Sequence, residues 1–329
     1  MKVLITGGAG FIGSTIASAC TDAGIVPVIL DDLSTGLESF ADGKPFYRGD
    51  IADDAVLDRI AAEHPDIAVT IHCAAKTVVP DSVGNPLDYY DANVAKTIRL
   101  LRGLRRNGLD RILFSSSASV YGAESGEAVT EESAVAPSSP YARTKAMVEQ
   151  ILADGARAGQ LRAIALRYFN PIGADPRGRS GLQNPDPSHA LGLLIAARRR
   201  GGTFTITGVD WPTRDGSGLR DFIHVWDLAR AHVLAVQRFD SVTRESPFRV
   251  INLGGGTGTT VRELVAAFER VTEAPVDLRI GPSRPGDVAG AYANADRAAE
   301  LLGWRAELTI DDGIRDSLAW AEELDRTRS

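Results

Sequence analysis

Residues 6 to 13 read Thr-Gly-Gly-Ala-Gly-Phe-Ile-Gly, after a short apolar run over 2–6 and at the head of an amphipathic stretch over 11–23. No other segment narrows the choice of fold as far. A strand that turns through glycines straight into a helix gathers backbone N–H groups and the positive end of the helix dipole at one point, where a dinucleotide pyrophosphate fits. The candidate cradle is Gly7, Gly10, Phe11, Ile12 and Gly13, and a purely structural glycine turn is the alternative reading. The second apolar run ends Ile29-Leu30-Asp31. A carboxylate there accepts hydrogen bonds from both ribose hydroxyls and repels a 2′-phosphate, so Asp31, ahead of its neighbour Asp32, points to NAD rather than NADP.

The alternation continues. Runs over 2–6, 26–30, 67–72, 111–116 and 163–168 are rich in Val, Ile and Leu without strict alternation, as strands covered on both faces should be. Helical patterns over 11–23, 54–64, 86–107 and 140–159 separate them. Strand and helix in turn predict an α/β fold, a Rossmann-type doubly wound parallel sheet with its ligands at the carboxyl ends of the strands. Between Pro171 and Pro187 glycine and proline replace apolar residues. The expected division is therefore an NAD-binding region over 1–170 and a smaller, mixed α/β substrate-binding region over 171–329, some of it packing back on the first. Helices near 191–200, 225–236, 261–272 and 311–324 and strands near 203–207 and 249–253 are expected there.

A net charge of -7 offers no long-range attraction to nucleic acid or an anionic membrane. Arg198-Arg199-Arg200 closes an expected helix, where arginines suit the dipole. Cys20 and Cys73 each lie in an apolar segment and read as reduced thiols of a cytosolic protein rather than a disulfide. The five histidines are scattered, so no metal site is expected. Neither a signal peptide nor a membrane span is expected.

The chemistry centres on Ser139-Pro140-Tyr141-Ala142-Arg143-Thr144-Lys145. Ser139 can cap a helix whose first residue is Pro140. Tyr141 and Lys145 then share one face, and an ammonium beside a phenol favours the phenolate, which brings a group of ordinary pKa about 10 toward general-base range. Ser117, in Ser115-Ser116-Ser117-Ala118 at a strand end, can hydrogen-bond a substrate oxygen, with a turn or cap as the alternative. Asp50 and Ile51 read as neighbours of the adenine, or Asp50 as a helix N-cap. In His72-Cys73-Ala74-Ala75-Lys76, Ala74 suits a backbone crossing over a dinucleotide, and Lys76 reads equally as a phosphate contact or a solvated lysine.

With Ser-Ser-Ser-Ala-Ser-Val-Tyr-Gly, Leu-Arg-Tyr-Phe-Asn-Pro and Arg-Asp-Phe-Ile-His-Val added to the two motifs above, the chain resembles the extended short-chain dehydrogenase/reductases over about residues 1–304. Within them it is most similar to the UDP-galactose (UDP-glucose) 4-epimerases. The resemblance implies an NAD that stays bound, held in part by Tyr141 and Lys145. It also implies that Ser117, Tyr141 and Lys145 act as the proton-transfer set, and that C4 of a UDP-hexose is oxidised reversibly through a 4-keto sugar. It further implies UDP contacts for Asn170, Arg220, Arg284 and Asp287, a place beside the nicotinamide for Phe169 and one beside the hexose for Ala291. Arg220 also reads as a salt-bridge partner of Asp221 or Asp227, and Phe169 as core packing.

Three positions depart from the family pattern. Thr77 stands where many epimerases have lysine, with Lys76 one residue early, and His189-Ala190 replaces an Asn-Leu pair near the uracil. Ala291 is small where strict UDP-glucose enzymes are bulky, which implies acceptance of UDP-N-acetylglucosamine as well as UDP-glucose. Ala118-Ser119 lacks the acidic pair of the related nucleotide-sugar dehydratases, so elimination is not expected. A UDP-glucuronate 4-epimerase stays open, because Arg177 and Arg179 could pair with a sugar carboxylate. A non-catalytic NAD-binding regulatory protein is the reading from another class. The resemblance also implies a homodimer joined through the helices over 86–107 and 140–159.

Overall fold

The computed structural model describes residues 1–122, 127–184, 187, 189–283 and 289–328. Seven parallel strands form its central sheet: β1 (Lys2–Thr6), β2 (Val26–Asp31), β3 (Phe46–Arg48), β4 (Ile67–His72), β5 (Arg111–Ser115), β6 (Arg162–Tyr168) and β7 (Phe248–Leu253). Their spatial order is β7-β6-β5-β4-β1-β2-β3. The order reverses between β1 and β4, and the carboxyl ends of those two strands flank the crevice in which a doubly wound sheet binds its ligands.

The missing alternation in the strands has a direct cause. Val3, Ile5, Val69, Ile71, Leu113 and Ile164 face one buried layer with Ile16, Leu228 and Ala229, while Leu4, Leu30, Ile112 and Phe114 face the other with Leu57, Ile60, Leu104 and Val148. Helices cover both faces, so both alternate sets must be apolar. The layers are the helices Phe11–Asp22 and Val225–Gln237 on one side, and Asp54–Glu63, Lys96–Arg106 and Pro140–Arg157 on the other.

The differences from expectation are local. The helix expected over 86–107 runs as Pro86–Tyr90, a π turn over Asp91–Ala95, and Lys96–Arg106. A short helix over Val79–Gly84 precedes it, and β3 was too brief to stand out in the sequence. The strand expected over 249–253 becomes β7, pairing in parallel with β6 at the edge of the main sheet. Its partner lies some eighty residues earlier, a pairing that no local pattern encodes.

Beyond residue 170 a third core gathers Leu191, Leu194, Phe204, Ile206, Leu264, Phe268 and Ile314 between the helices Ala190–Arg200, Val261–Thr272 and Ile310–Arg328. Asn170–Ile172 pairs in parallel with Phe222–His224, and His224 Nε2 meets Asp316 Oδ2 at 3.1 Å, which ties the last helix to this seam. No helix among the described residues is long and apolar enough to cross a membrane.

Candidate active site

The glycine turn is built by crowding. Gly7 has φ +70°, and a Cβ there would lie 2.7 Å from the Ala74 backbone N; one on Gly13 would lie 2.2 Å from Gly7 O. The end of β1 therefore presses against the loop that leaves β4, and only glycine permits it. Gly10 begins the helix Phe11–Asp22 with no side-chain cap and no acidic residue in the first turn. Ile12 packs against the adjoining core.

Asp31 ends β2 with its carboxylate buried. Oδ2 accepts from Ala9 N at 2.9 Å and Oδ1 from Leu33 N at 2.8 Å, the latter from a residue held at φ +60°. Burial raises its pKa, and these two backbone bonds oppose the rise. Each oxygen retains further acceptor capacity. Asp32 is exposed and accepts only from Ser34 N among its described bonds. Asp50 does not cap a helix: Asp53 does, while Asp50 pairs with Lys96 Nζ at 2.5 Å. Burial raises the Asp50 carboxyl, but Lys96 and the Ala52 N–H together bring it below the usual range. Ile51 is buried beside Leu30 and Tyr47.

Two neighbours of the turn serve structure. His72 is buried between Thr6 Oγ1 (2.8 Å) and Thr97 Oγ1 (2.9 Å), and burial, with Lys145 nearby, lowers its pKa to about 3, so it is neutral. Lys76 turns outward to Asp88 at 3.6 Å and lies over the Tyr89 ring, which fits the solvated reading. The backbone of Lys76 is held at both ends by Asn93, whose Oδ1 accepts Lys76 N at 2.8 Å and whose Nδ2 donates to Lys76 O at 2.9 Å. Asn93 escaped sequence reasoning because the π turn rotates it inward, against the ordinary helical period.

At the end of β5 the structure brings Ser117, Tyr141 and Lys145 together. Ser139 Oγ accepts Ala142 N at 3.2 Å and Pro140 stands at the first position, so the helix starts where the capping logic places it. Tyr141 and Lys145 are 8% and 3% exposed. Lys145 Nζ donates to Ser115 O at 2.8 Å and lies 4.8 Å from the Phe114 ring centre and 5.9 Å from that of Tyr141. Burial lowers its pKa to about 8. Burial raises the Tyr141 phenol, and a hydrogen bond with Ser117 draws it back. In the protein alone burial thus outweighs the lowering that the tyrosine–lysine spacing implied. Ser117 caps the short 3₁₀ turn Ala118–Val120; its Oγ accepts Ser119 Oγ at 3.0 Å and Ser119 N at 3.2 Å, which leaves its own proton for the phenol or a substrate oxygen. The cap and the candidate site hydroxyl are one residue here.

Phe169, 9% exposed, packs with Ala291, Ala293, Ala118 and Val129, so Ala291 reaches the strand-end cluster although it is far away in sequence. Asn170 donates from its backbone N and from Nδ2 to Asp221 O, at 3.0 and 3.1 Å. Arg220 Nη1 donates to Leu219 O at 2.6 Å and approaches Ala289 O at 3.4 Å. Asp221 accepts from Gly255 N (2.6 Å) and Ala293 N (2.9 Å), and Asp227 from Glu307 N and Leu308 N, both at 2.8 Å, and from Arg230 Nη1 at 3.2 Å. Burial pushes Asp221 up to about 6. Arg284 and Asp287 lie outside the described residues. His189 caps its own helix, Nδ1 accepting Gly192 N at 3.2 Å. A cleft of about 370 Å³ runs from Phe11 and Pro171 past Gly173 and His189 to Trp320.

Arg177 and Arg179 go elsewhere. Arg177 Nη1 reaches Asp22 Oδ1 at 3.0 Å, and Arg179 reaches Asp22 at 2.8 Å and Asp175 at 2.5 Å, under the ring of Trp226. Both charges are spent at the end of the first helix, which removes the observation that favoured a sugar carboxylate. Cys20 and Cys73 are free thiols, pushed up to about 12 and about 11 chiefly by burial. Among the described residues no group of three or more His, Cys, Asp or Glu could hold a metal ion.

Residues 3–254 match the model of the NAD dependent epimerase/dehydratase family. The UDP-glucose 4-epimerase of Azospirillum brasilense is 42% identical over 99% of this chain and 93% of its own length. The crystal structure of the Stenotrophomonas maltophila UDP-glucose-4-epimerase with bound NAD and formylated UDP-arabinopyranose is 38% identical, with TM-score 0.93 over 99% of both chains. The UDP-Glc/GlcNAc 4-epimerase of Campylobacter jejuni is 30% identical, with TM-score 0.81 over 98% of this chain and 99% of that one.

Proposed function

We propose that this chain, which belongs to the NAD dependent epimerase/dehydratase family, is an isomerase that interconverts the C4 epimers of a UDP-hexose. UDP-glucose and UDP-galactose are the central pair, with the N-acetylated pair also accepted. The observation that carries the reading is the convergence of Ser117, Tyr141 and Lys145 at the end of β5, beside a glycine turn that only a backbone without Cβ atoms can form.

The residues present fit NAD. Gly7 to Gly13, with Phe11 and Ile12, would face its pyrophosphate, Asp31 its ribose and Asp50 with Ile51 its adenine edge, while Ala74, Tyr141, Lys145 and Phe169 would border the nicotinamide side. Bound there, NAD supplies a reversible two-electron acceptor for C4. The protein's own task is proton transfer and orientation. Tyr141 takes the proton of the sugar's 4-hydroxyl as that carbon becomes a ketone and returns it after the 4-keto sugar has turned over. Ser117 holds the same oxygen through the hydroxyl proton that Ser119 leaves available. The Lys145 charge keeps the two protonation states of the phenol close enough in energy for the proton to pass both ways. Tight nucleotide binding with a loosely held hexose permits the turnover, and Asn170, Arg220, Arg284 and Asp287 are the candidate anchors of the UDP part, arginines being well matched to a pyrophosphate.

The two-part organisation over 1–170 and 171–329 belongs to this reading, with 225–253 returning to the Rossmann layers. A cytoplasmic setting agrees with the free thiols. A homodimer agrees with apolar side chains left exposed on the two expected helices and just before them: Val83 66%, Leu87 80% and Met147 44%. Light scattering reads the mass directly, and a monomer at micromolar concentration removes the dimer. The function itself is tested by incubating the purified protein with UDP-glucose, UDP-N-acetylglucosamine and UDP-glucuronate and following products by NMR. The 4-epimers of the first two are expected, and no conversion of any of them ends the reading.

A further inference from the structure

Behind the reacting residues lies a buried polar chain. Glu149 stands one helical turn beyond Lys145, so Tyr141, Lys145 and Glu149 line one face of the helix Pro140–Arg157, all buried. Arg167 grips the Glu149 carboxylate with two parallel bonds, Nε to Oε1 at 2.9 Å and Nη2 to Oε2 at 2.5 Å. Ser116 Oγ donates to the same Oε1 at 2.5 Å. Arg167 Nη1 donates onward to Tyr121 OH at 2.9 Å, which donates to Asn252 Oδ1 at 2.6 Å, and the guanidinium lies over the Tyr121 ring.

Four of its five members border a residue of the candidate site. Ser116 precedes Ser117, Tyr121 follows the 3₁₀ turn that Ser117 caps, Arg167 precedes Tyr168 and Phe169, and Glu149 shares the helix of Tyr141 and Lys145. A buried ion pair is a poor device for stability, since well-packed apolar residues of similar volume serve as well or better. Its use must lie in geometry or charge.

We propose that Glu149 and Arg167 form a positioning pair that fixes the Tyr141–Lys145 helix against the Ser117 loop and holds the Lys145 ammonium charged during the proton transfer; this rests on the 4-epimerase reading. Neither residue touches substrate. The geometric part runs through Ser116, the only side chain that links the pair directly to the serine loop among the bonds described. The charge part runs along the helix. Facing the Lys145 amine are Cys73 and His72 from the end of β4, the Ser115 carbonyl and Phe114 ring from β5, and Tyr141 and Glu149 from its own helix. Burial promotes the loss of the Lys145 proton, and Cys73 and then Glu149, the one carboxylate among these groups, oppose it.

The test compares wild type with Glu149→Gln and Ser116→Ala, each checked for bound NAD, melting temperature and KM for UDP-glucose. Glu149→Gln keeps the side-chain size and removes the charge. With NAD and KM preserved, its kcat is expected to fall about 10- to 100-fold, and the basic limb of its kcat–pH profile to move down by roughly one unit. Folded Glu149→Gln with wild-type kcat and profile overturns the proposal. Should Glu149→Gln not fold, Ser116→Ala decides, because it leaves the ion pair intact and cuts only the bridge. A kcat about ten-fold lower at unchanged KM supports positioning, and a wild-type kcat overturns it. A wild type that epimerises no UDP-hexose sinks the underlying function, whereas an active wild type with indifferent variants sinks the pair alone.

Discussion

Arg179 closes on Asp22 with two hydrogen bonds, Nη1 to Oδ1 at 2.8 Å and Nη2 to Oδ2 at 3.0 Å, and so fastens the loop after residue 172 to the far end of the helix that starts at the glycine turn. Arg177 adds a third bond to Asp22, Ser180 meets Thr15 at 3.2 Å, and Gln183 Nε2 donates to Thr35 O at 2.8 Å. The loop is thus a strap across the half of the fold that would hold the dinucleotide. Half-exposed ion pairs contribute about 1 kcal/mol or less each. Replacing Arg177 and Arg179 together by alanine should therefore speed the loss of NAD on gel filtration several-fold while changing kcat for UDP-glucose little. The hydrogen bond from Arg179 holds the Asp22 carboxyl below its usual value of 3.8. A depressed carboxyl contributes stability above that pH and loses it as pH falls further, so the strap should loosen only in strong acid. NAD retention equal to wild type in the double variant would show that the strap holds nothing.

On the proposed mechanism Tyr141→Phe removes the oxygen that carries the proton of the sugar's 4-hydroxyl, while its ring keeps the packing. The kcat should fall by about 10²- to 10⁴-fold, with bound NAD retained. Ser117 would lose the phenol as partner and still cap its turn through Ser119 N, so the melting temperature should change little. Rates of epimerisation from exchange NMR and cofactor content from absorbance give both quantities, and an unchanged rate would rule the tyrosine out as the proton carrier.

What could be read in the sequence was whatever chemistry fits within one turn or one strand. Gly7, Gly10 and Gly13 stand between a strand and a helix, Asp31 ends the next strand, and the Tyr141–Lys145 spacing is a helical repeat. Such relations are local, and the structure keeps them. The placement of β7 against β6, of Arg179 on Asp22 and of Ala291 on Phe169 depends on chain returning from far away, which periodicity does not record. Asn93 was hidden by a π turn that shifts the helical phase by a residue. Glu149 and Arg167 did leave a signal: an acid one turn beyond Lys145 on the buried helix face and an arginine within Ala-Ile-Ala-Leu-Arg-Tyr. A charge placed where burial is unavoidable has to find its opposite.

On the proposed reading, Ala291 governs which sugar is accepted. It is 8% exposed and packs in the small cluster of Phe169, Ala118 and Val129. Ala291→Tyr would fill whatever space lies between that cluster and a hexose. UDP-N-acetylglucosamine turnover should drop at least ten-fold relative to UDP-glucose turnover, the size of effect expected when a pocket loses room for a few atoms. The comparison of kcat/KM for the two sugars in both proteins decides it. Equal losses for both would mean that residue 291 does not face the substituent at C2.

On the proposed mechanism, Lys145 should make the stability and the activity of the protein respond to pH in opposite senses. Its pKa is lowered from 10.5 to about 8, chiefly by burial. A lysine whose folded value lies below its unfolded value is released of its desolvation cost only as pH rises through that interval, because the unfolded chain then binds more protons than the folded one. From this group alone, stability should rise between pH 8 and 10.5, by an amount on the order of 3 kcal/mol. Activity should do the reverse, since the ammonium proposed to steady the phenolate is lost above pH 8. Lys145→Met separates the two: at pH 7 the variant should be inactive yet as stable as wild type or more so, because it no longer buries a charge, and its melting temperature should lack the rise expected of wild type above pH 8. A variant that melts well below wild type at pH 7 would mean that the bond from Lys145 to Ser115 O outweighs the cost of burying the ammonium.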